Sequence, residues 1–534
     1  MKVSLRFILG GISLFLATIL VGFVGFWNLV ELAVKDQTAL RERNEIRSIY
    51  LKIPFPLNLK FYFFNVTNPM EVQNGATPIL VQVGPYCYDE YKEKINVIDN
   101  DAQDTLQYDS YDTYIFNKTL SGKLSDEDYV TIIHPILVGL VNTVTAISPA
   151  LLSIVNQAIS DIFNEPKSIY LTDKVKNIVF DGMELNCQGS NFASKAICTQ
   201  LKSQIPGVKE SKTQKNVLLY SLFGNRNATV VDTIKIMRGI KNNKDLGRVL
   251  EVNGKSRLDI WGSEECNRFK GTDGWIIPPL LKPEDGIHCY SPQLCRNIVL
   301  DYIKDDVIRG IKVRRYEGNL GDQQTVEADK CYCPTPKPCL KKGIFDVSKC
   351  VGAPIMVSLP HFLYADETFL KQVKGLEPVE EDHVLKVSID PLTSAPISVR
   401  MRMQMNLEIG PNPKIDVMNN LTTALHPIFW LEDSLDLEGP LFKKISAIFI
   451  ILKVAYVLKW VLLGISFGLL AYGSYLHFKS NMKTVKITPV HQRKETEEEA
   501  FSRSTNDLLS RIKKIERSGH TNNIMSGHEF ERYN

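Results

Sequence analysis

Two long apolar segments, one near each end of the chain, most constrain what this sequence can form. The first covers 7–30, contains no charged residue and follows two basic ones. A helix of roughly twenty residues rises about 30 Å, the hydrocarbon thickness of a bilayer. The segment is longer than the apolar region of a signal peptide and ends in Phe26-Trp27, without a small-residue cleavage pattern. We predict an uncleaved transmembrane helix over 7–30, with 1–6 in the cytosol.

The second apolar segment, near the C-terminus, is interrupted by Lys453 and Lys459. A lysine near the end of a membrane helix can extend its ammonium group to the interface. We therefore predict a second span over 456–477, preceded by a helix or strand over 445–455 that lies at the membrane surface. Several basic residues follow the span, which places a polar tail, 478–534, in the cytosol.

With both ends in the cytosol, 31–455 forms an ectodomain on the opposite side of the membrane. Four N-glycosylation sequons support this topology, because all of them lie between the spans: Asn65, Asn117, Asn227 and Asn420. All ten cysteines also lie between the spans. Disulfides are the default state of cysteines in an oxidising compartment. We therefore predict a glycosylated, disulfide-bonded protein of the cell membrane.

The densest cysteine cluster is Cys331, Cys333, Cys339 and Cys350. The proline-rich segment CYCPTPKPC is tight enough to join Cys333 to Cys339 in a small ring. A zinc site is the alternative, but the C-x-C spacing is unlike the usual zinc pairs and no histidine is interleaved. Spacing alone leaves the other pairings open.

The composition excludes several classes of protein. The chain is 44% hydrophobic and 23% charged, which excludes both a mostly disordered chain and a transporter with many spans. The net charge of +3 leaves no basic excess to attract nucleic acid, so we expect no nucleic-acid partner.

Hydrophobic periodicity predicts that strands dominate the ectodomain. Apolar and polar positions alternate over 51–120, 217–261 and 384–415, between turn residues. Within the last range, Val399 and the three methionines Met401, Met403 and Met405 share one face. That face is either ordinary core or the lining of a pliant apolar cavity, because methionine adapts to varied shapes.

Helical spacing predicts insertions in this strand-rich domain. Strongly apolar short helices are expected over 130–163, broken at Pro135 and Pro149, with further helices over 173–180 and 192–203. The apolar face of 130–163 either packs on the domain core or forms a ligand entrance or partner surface. The predicted fold class is α+β, mainly antiparallel β, anchored by two transmembrane helices.

No catalytic motif points to an enzyme or a cofactor. The segment Gly464-Ile-Ser-Phe-Gly468 matches the nucleophile-elbow pattern, but it lies inside the second predicted span, where the required strand–turn–helix cannot form. The same two glycines are spaced as GxxxG, which favours close contact between membrane helices. The ectodomain histidines lack the spacing of metal ligands.

Several longer motifs resemble the class B scavenger receptors. They are FYFFNVTNP, ILVQVGPY, NGKSRLDIWGSEECNRFKGTDGWIIPP and GAPIMVSLPHFLYAD. Within that family, FDGMELNC and NFASKAICTQLK resemble the insect sensory neuron membrane proteins. The resemblance covers roughly residues 1–480, as judged by the spread of these motifs.

The resemblance implies a β-barrel-like ectodomain with a helical bundle over 130–205 at its membrane-distal apex and an internal hydrophobic tunnel. It implies Lys167 as an apical lysine near the ligand entrance. Cys187 and Cys198 are close enough in sequence for an additional loop. The family's disulfide pattern, placed on the matching positions, implies the pairs Cys266–Cys331, Cys295–Cys350 and Cys333–Cys339 and leaves Cys87 and Cys289 over.

The resemblance also implies a function in olfaction. Odorant-binding proteins would deliver long-chain lipid odorants or pheromones, and the tunnel would pass them to the membrane or to an odorant receptor complex. A general lipid-uptake scavenger or lysosomal trafficking receptor is the alternative within the family. A two-span ligand-gated channel subunit is the alternative from another class, although neither span carries a convincing polar pore stripe.

Overall fold

The computed structural model describes residues 3–333, 338–484, 505–507 and 510. The rest of the predicted cytosolic tail lies outside the described residues. The chain divides into two compact units, one comprising 1–19 with 460–534 and the other comprising 20–459.

Twelve α-helices lie in the described part of the chain, and a π-helical stretch, Thr18–Gly25, joins the first two. In chain order they are α1 Val3–Ala17, α2 Phe26–Thr38, α3 Glu45–Leu51, α4 Pro69–Gln73, α5 Lys118–Ser121, α6 Pro135–Ile147, α7 Leu152–Ile162, α8 Phe192–Gln204, α9 Glu264–Asn267, α10 Ser348–Val351, α11 Glu380–His383 and α12 Gly439–Thr484.

Among the described residues, two helical stretches, Val3–Thr38 and Gly439–Met482, are long and apolar enough to cross a membrane. They agree with the two predicted spans. Residues 445–455, predicted as a helix or strand at the membrane surface, are helical, and α12 continues through both lysines into the predicted span without a break. Ile445 packs against an apolar cluster that includes Ile311.

Small residues bring α1 and the C-terminal part of α12 together within the first unit. A Cβ on Gly473 would lie 2.8 Å from Ile8 Cγ1, and a Cβ on Gly11 would lie 2.9 Å from Leu470 Cγ. Such close contact is typical of membrane helices that pair through small side chains. The GxxxG pair does not make this contact within the chain, since a Cβ on Gly464 or on Gly468 would meet nothing within 4 Å among the described residues.

Gly473→Leu should therefore weaken the contact between α1 and α12, because its side chain would overlap Ile8. We expect the yield of a disulfide between Phe7→Cys and Tyr472→Cys, whose native rings lie 5.3 Å apart, to fall about fivefold, equivalent to roughly 1 kcal/mol. The control is Gly464→Leu, the same change on an open side of the same helix. Equal yields in the two variants would contradict the packing.

The strands belong to the second unit. In chain order they are β1 Leu57–Val66, β2 Leu80–Asn100, β3 Thr105–Phe116, β4 Tyr129–Ile133, β5 Tyr170–Lys174, β6 Met183–Asn186, β7 Lys209–Glu210, β8 Val217–Tyr220, β9 Thr229–Met237, β10 Val249–Val252, β11 Ile287–Ser291, β12 Arg296–Ile308, β13 Ile311–Gly318, β14 Phe345–Asp346, β15 Ile355–Ser358, β16 Leu385–Ile389, β17 Pro396–Ile409 and β18 Ala424–Asp436.

Thirteen of the strands in the described part of the chain form one antiparallel sheet. Its order is β10-β9-β3-β2-β1-β18-β17-β16-β13-β12-β11, and β15, which pairs with β14, also pairs with β17. The sheet curls into a nearly closed barrel, which confirms the predicted α+β class with mainly antiparallel strands. Two small sheets, β4-β5 and β6-β8-β7, lie outside it.

A short segment, 271–273, closes the barrel between the two edge strands. The amide of Val249 in β10 donates to the Gly271 carbonyl at 3.0 Å, and the amide of Tyr290 in β11 donates to the Thr272 carbonyl at 2.8 Å. Gly271 has φ +78°, and a Cβ there would overlap the His288 carbonyl. Only glycine fits this junction, because the backbone of β11 lies too close for any side chain.

Gly271→Ala is expected to lower the free energy of unfolding by roughly 2–3 kcal/mol, because it combines a positive φ with a backbone overlap. The control is Gly254→Ala, which has φ +76° but no atom within 4 Å of its Cβ among the described residues. The control substitution should lower the free energy of unfolding by only about 1 kcal/mol. Thermal unfolding of the full chain in lipid nanodiscs measures the loss of stability in both variants. Equal losses would contradict the backbone overlap at Gly271.

The predicted helical apex is correct for α6, α7 and α8, and the helix predicted over 173–180 is present from 175 onwards, where it runs into a π-helical turn, Asn177–Asp181. The prediction is wrong at the start of 130–163, because 129–133 form strand β4. The β-branched run of β4 pairs with β5, so tertiary pairing decided the conformation of that segment.

Four disulfides are present in the second unit. Three of them are the pairs that the family resemblance implies, and the fourth joins the end of the β6 segment to α8. The pairs are Cys266–Cys331, Cys295–Cys350, Cys333–Cys339 and Cys187–Cys198. Cys87 and Cys289 are free thiols, and both are buried.

Candidate functional site

Strand β17 has the alternation that the sequence predicts, but its polar face is the more deeply buried one. Arg402 donates to Glu432 at 2.7 Å, and Gln404 accepts from the His361 amide at 2.7 Å. Gln404 and Asn406 are fully buried. The outer face of β17 is therefore covered by a second layer of chain, which satisfies these polar groups.

The methionine face of β17 points into the barrel and remains partly exposed. Met401, Met403 and Met405 are all half-buried. Since the outer face is sealed, solvent reaches these side chains from inside the barrel. Directly opposite Met403 and Met405 on the neighbouring strand β18 lie Leu431 and Phe429, which continue the same apolar wall.

Towards the helical apex the inner wall becomes aromatic. The rings of Phe61 and Phe223 lie 5.1 Å apart, and those of Tyr88 and Phe180 lie 4.9 Å apart. Phe429 lies 5.8 Å from Phe61. We call these five residues the interior aromatic cluster. It packs beneath the apical helices in one continuous apolar core.

A surface cavity of about 290 Å³ reaches this cluster. Its walls include Phe180, Lys209 and Leu219. Phe180 thus stands between the cavity and the interior rings of the barrel. A second cavity, of about 350 Å³, is lined by Met356, Leu425 and neighbouring residues, and it lies outside the barrel wall.

Beyond the methionines, away from the apex, the inner wall becomes charged. Lys92 forms ion pairs with Glu90 at 2.5 Å and with Asp112 at 3.5 Å. Asp433, in β18, is near enough to Glu90 and Lys92 for their charges to act on it. Lys94 donates to the Tyr50 carbonyl at 2.9 Å. We call Glu90, Lys92, Lys94, Asp112 and Asp433 the interior charge cluster.

The protonation of this cluster follows from its burial. Burial, and then the negative charge of Glu90, raise the pKa of Asp433 well above its usual range. Burial lowers the pKa of Lys94 to about 8. The buried Oε2 atom of Glu90 has no hydrogen-bond partner among the described residues.

The predicted apical lysine does not lie at either cavity. Lys167 is exposed on the loop between α7 and β5, and it lines neither of the two cavities described above. Lys209 and Lys212 are the lysines that line the cavity at Phe180.

The sequon residues all lie in the second unit, and Asn420 is the exposed one. Asn65 accepts from the Thr131 amide at 2.7 Å and Asn227 from the Tyr114 amide at 3.1 Å. Asn117 donates to Asp89 at 2.8 Å.

The interior charge cluster was missed by reasoning from the sequence. Its signal is the run YCYDEYKEK, in which Tyr86, Tyr88, Glu90, Lys92 and Lys94 alternate with other residues and share one face of β2. Charged residues on one face of a strand are usually exposed to solvent, so the local periodicity predicts that Glu90, Lys92 and Lys94 lie on the surface. These side chains face the interior only because the sheet closes into a barrel.

Comparisons with known proteins cover most of the chain. The sequence model described as CD36 family matches residues 8–477. Sensory neuron membrane protein 1 of Apis mellifera is 38% identical over 487 residues, which cover 90% of this chain and 93% of the relative. The proteins of the same name from Manduca sexta and Heliothis virescens are each 37% identical, over 89% and 90% of this chain and 91% and 94% of their own lengths.

The raised pKa of Asp433 predicts how stability depends on pH. Because the pKa of Asp433 is raised on folding, the folded chain binds more protons, and stability falls as pH rises from about 4 towards the folded pKa. The amide of Asp433→Asn cannot ionise. We expect the variant to unfold at a higher temperature than wild type at pH 7.5, by an amount that shrinks towards pH 4.5.

The control for this prediction is Asp109→Asn. Hydrogen bonds from Asn96 and Thr233 lower the pKa of Asp109, so its contribution has the opposite sign and the substitution should destabilise the chain at pH 7.5. Thermal unfolding of the full chain in nanodiscs from pH 4.5 to 8 makes the measurement. A constant difference between wild type and Asp433→Asn across that range would contradict the raised pKa of Asp433.

Proposed function

The chain belongs to the CD36 family, and from that premise we propose that it is a membrane receptor or co-receptor for hydrophobic, lipid-derived odorants or pheromones. The ligand passes through the interior of the barrel to the membrane or to an odorant receptor complex. Odorant-binding proteins deliver it, and both termini of the receptor lie in the cytosol. The names of the relatives, sensory neuron membrane proteins, support the sensory assignment.

The observation that carries this proposal is the partly exposed methionine wall inside a barrel whose outer face is sealed. An acyl chain placed along Met401, Met403 and Met405 would bury its methylenes at about 0.8 kcal/mol each. Methionine side chains are flexible, so the wall would accept chains of different shape. Affinity is therefore expected to follow chain length more than polar detail.

The cavity beside Phe180 supports an entrance at the apical side. Its floor is a ring of the interior aromatic cluster, and rotation of that ring would join the cavity to the interior. Lys209 and Glu210, which also border the cavity, would meet the polar face of a delivering protein.

Family membership argues against the channel subunit considered from the sequence. The close contacts at Gly11 and Gly473 also use small residues for helix packing rather than for a pore lining. A general lipid-uptake receptor would use the same barrel interior, and expression in sensory or other cells separates that role from olfaction.

Binding to the full chain in lipid nanodiscs tests the proposal. A fluorescent long-chain ester should bind saturably, and unlabelled esters should compete better as their chains lengthen. Empty nanodiscs provide the partitioning baseline. Binding no stronger than that baseline would contradict the proposal that the ligand enters the interior of the barrel.

A polar side chain in the methionine wall should weaken this binding. We expect Met403→Gln to lower the affinity for the long-chain ester about tenfold, because a buried amide without a partner costs roughly 1–3 kcal/mol. Met70→Gln is the control, since Met70 is 50% exposed on the surface. Wild-type affinity in a correctly folded Met403→Gln protein would show that this wall does not contact the ligand.

A further inference from the structure

Two buried histidines stack on each other within the second layer of chain that covers the outer face of β17. The ring centres of His361 and His383 lie 4.3 Å apart, and the two rings are nearly parallel, at 9°. Each residue is only 6% exposed. His361 belongs to a tight turn after β15, and His383 ends α11. The proposed path of the ligand uses neither of them.

Both rings use the same nitrogen atom to accept a backbone hydrogen bond. The amide of Glu377 donates to His361 Nδ1 at 2.9 Å, and the amide of Val379 donates to His383 Nδ1 at 2.9 Å. A nitrogen that accepts a hydrogen bond carries no proton, so both rings are in the neutral form. The pair therefore holds the backbone of 376–384 through two contacts that need unprotonated rings.

We propose that the His361–His383 pair is an acid-sensitive latch, which holds 376–384 on the outer face of the barrel at neutral pH and releases it when the rings become protonated. An imidazolium carries a proton on both nitrogens and cannot accept a hydrogen bond. Protonation of both rings would break both backbone contacts and place two like charges 4.3 Å apart. Histidine in water takes up its proton near pH 6.5, so the latch would open at the mildly acidic pH of an endosome.

The surroundings of His383 favour its neutral form. Burial lowers the pKa of His383 to about 4, although Asp382 of α11 opposes the shift, and Arg402 of β17 adds to it. Arg402 is itself paired with Glu432 of β18 at 2.7 Å. The ring of Trp430, also in β18, is neutral and lies 5.7 Å from His383.

His361 is enclosed mainly by neutral groups. Its Nε2–H donates to Gln82 of β2 at 2.6 Å, and its ring lies 5.3 Å from that of Phe64 in β1. Glu377, whose amide donates to it, is an exposed residue. Burial, and then the nearby His383, lower the pKa of His361 to about 3. The closed form thus binds fewer protons than the open form, and its stability falls as pH drops below about 6.5.

The turn that carries His361 is strained, which favours opening once the hydrogen bonds are lost. His361, Phe362 and Tyr364 have φ of +54°, +57° and +60°. Side chains of this size rarely adopt that conformation, and they keep it only where the surrounding structure holds it. The stacked ring of His383 and the amide of Glu377 are part of those surroundings.

Opening would uncover the buried polar face of β17. Arg402 donates to the carbonyls of Glu381 and Val384 at 2.9 and 3.0 Å. Release of 376–384 would remove these two acceptors and leave Arg402 with Glu432. The outer face of the barrel would therefore present a charged pair at acidic pH that is sealed at neutral pH.

Hydrogen exchange of the full chain in lipid nanodiscs tests the latch. Protection of the amides in 376–384, corrected for the intrinsic pH dependence of exchange, should fall roughly sixtyfold between pH 7 and pH 5.5. Each histidine contributes roughly eightfold, because it takes up its proton in the open form with the usual pKa of about 6.5. The small sheet β6-β8-β7, whose strands contain no histidine, is the internal reference and should change by less than about twofold.

The substitution His383→Asn separates the latch from a general sensitivity to acid. Its amide oxygen can accept from the Val379 amide, as Nδ1 does, but it does not titrate. The variant should keep the protection at pH 7 and reduce the pH effect to that of His361 alone, roughly eightfold. The matched control is His288→Asn, which replaces an exposed histidine of β11 and should keep the wild-type effect.

The latch is supported if the loss of protection at pH 5.5 is confined to the second layer around 376–384 and is reduced in His383→Asn. No loss of protection by pH 5.5, or an equal loss in the β6-β8-β7 sheet, would overturn it. The full wild-type effect in a folded His383→Asn protein would also overturn it. If that variant does not fold, the wild-type comparison of the segment with the reference sheet decides.

Discussion

Closure of the sheet by the segment 271–273 is the constraint on which the rest of the second unit depends. Without it, β10 and β11 would be open edges, and the inner wall would be one face of a sheet in water. The same segment carries Asp273, which accepts hydrogen bonds from Tyr50 and Tyr108 and so ties α3 to the barrel. Closure therefore creates the interior and fixes its polar end.

The interior has three zones along its wall, which differ in rigidity, exposure and charge. The interior aromatic cluster beneath the apex is rigid and excludes water. The methionine side chains of β17 are flexible and partly exposed. The interior charge cluster is held together by the ion pairs of Lys92 with Glu90 and Asp112.

Much of the molecule could be predicted from local patterns. The membrane spans could be predicted because, in a chain of this kind, a long uncharged helix is what satisfies the backbone hydrogen bonds inside a bilayer. The family resemblance is confirmed, since its motifs are spread along the chain and the match covers 8–477. The prediction of a helix failed at the start of 130–163, where pairing of β4 with β5 overrode local periodicity.

The sequence by itself determined the two spans, the strand-rich class and the family, because each depends on residue type and periodicity along the chain. Only the tertiary structure decided which face of each strand is inside. A period of two shows that the faces differ, but it does not show what covers them. In β17 a second layer buries the polar face around Gln404, and in β2 the closed barrel turns Glu90 and Lys92 inwards. Those choices depend on which surfaces meet in space, and they produced the candidate site.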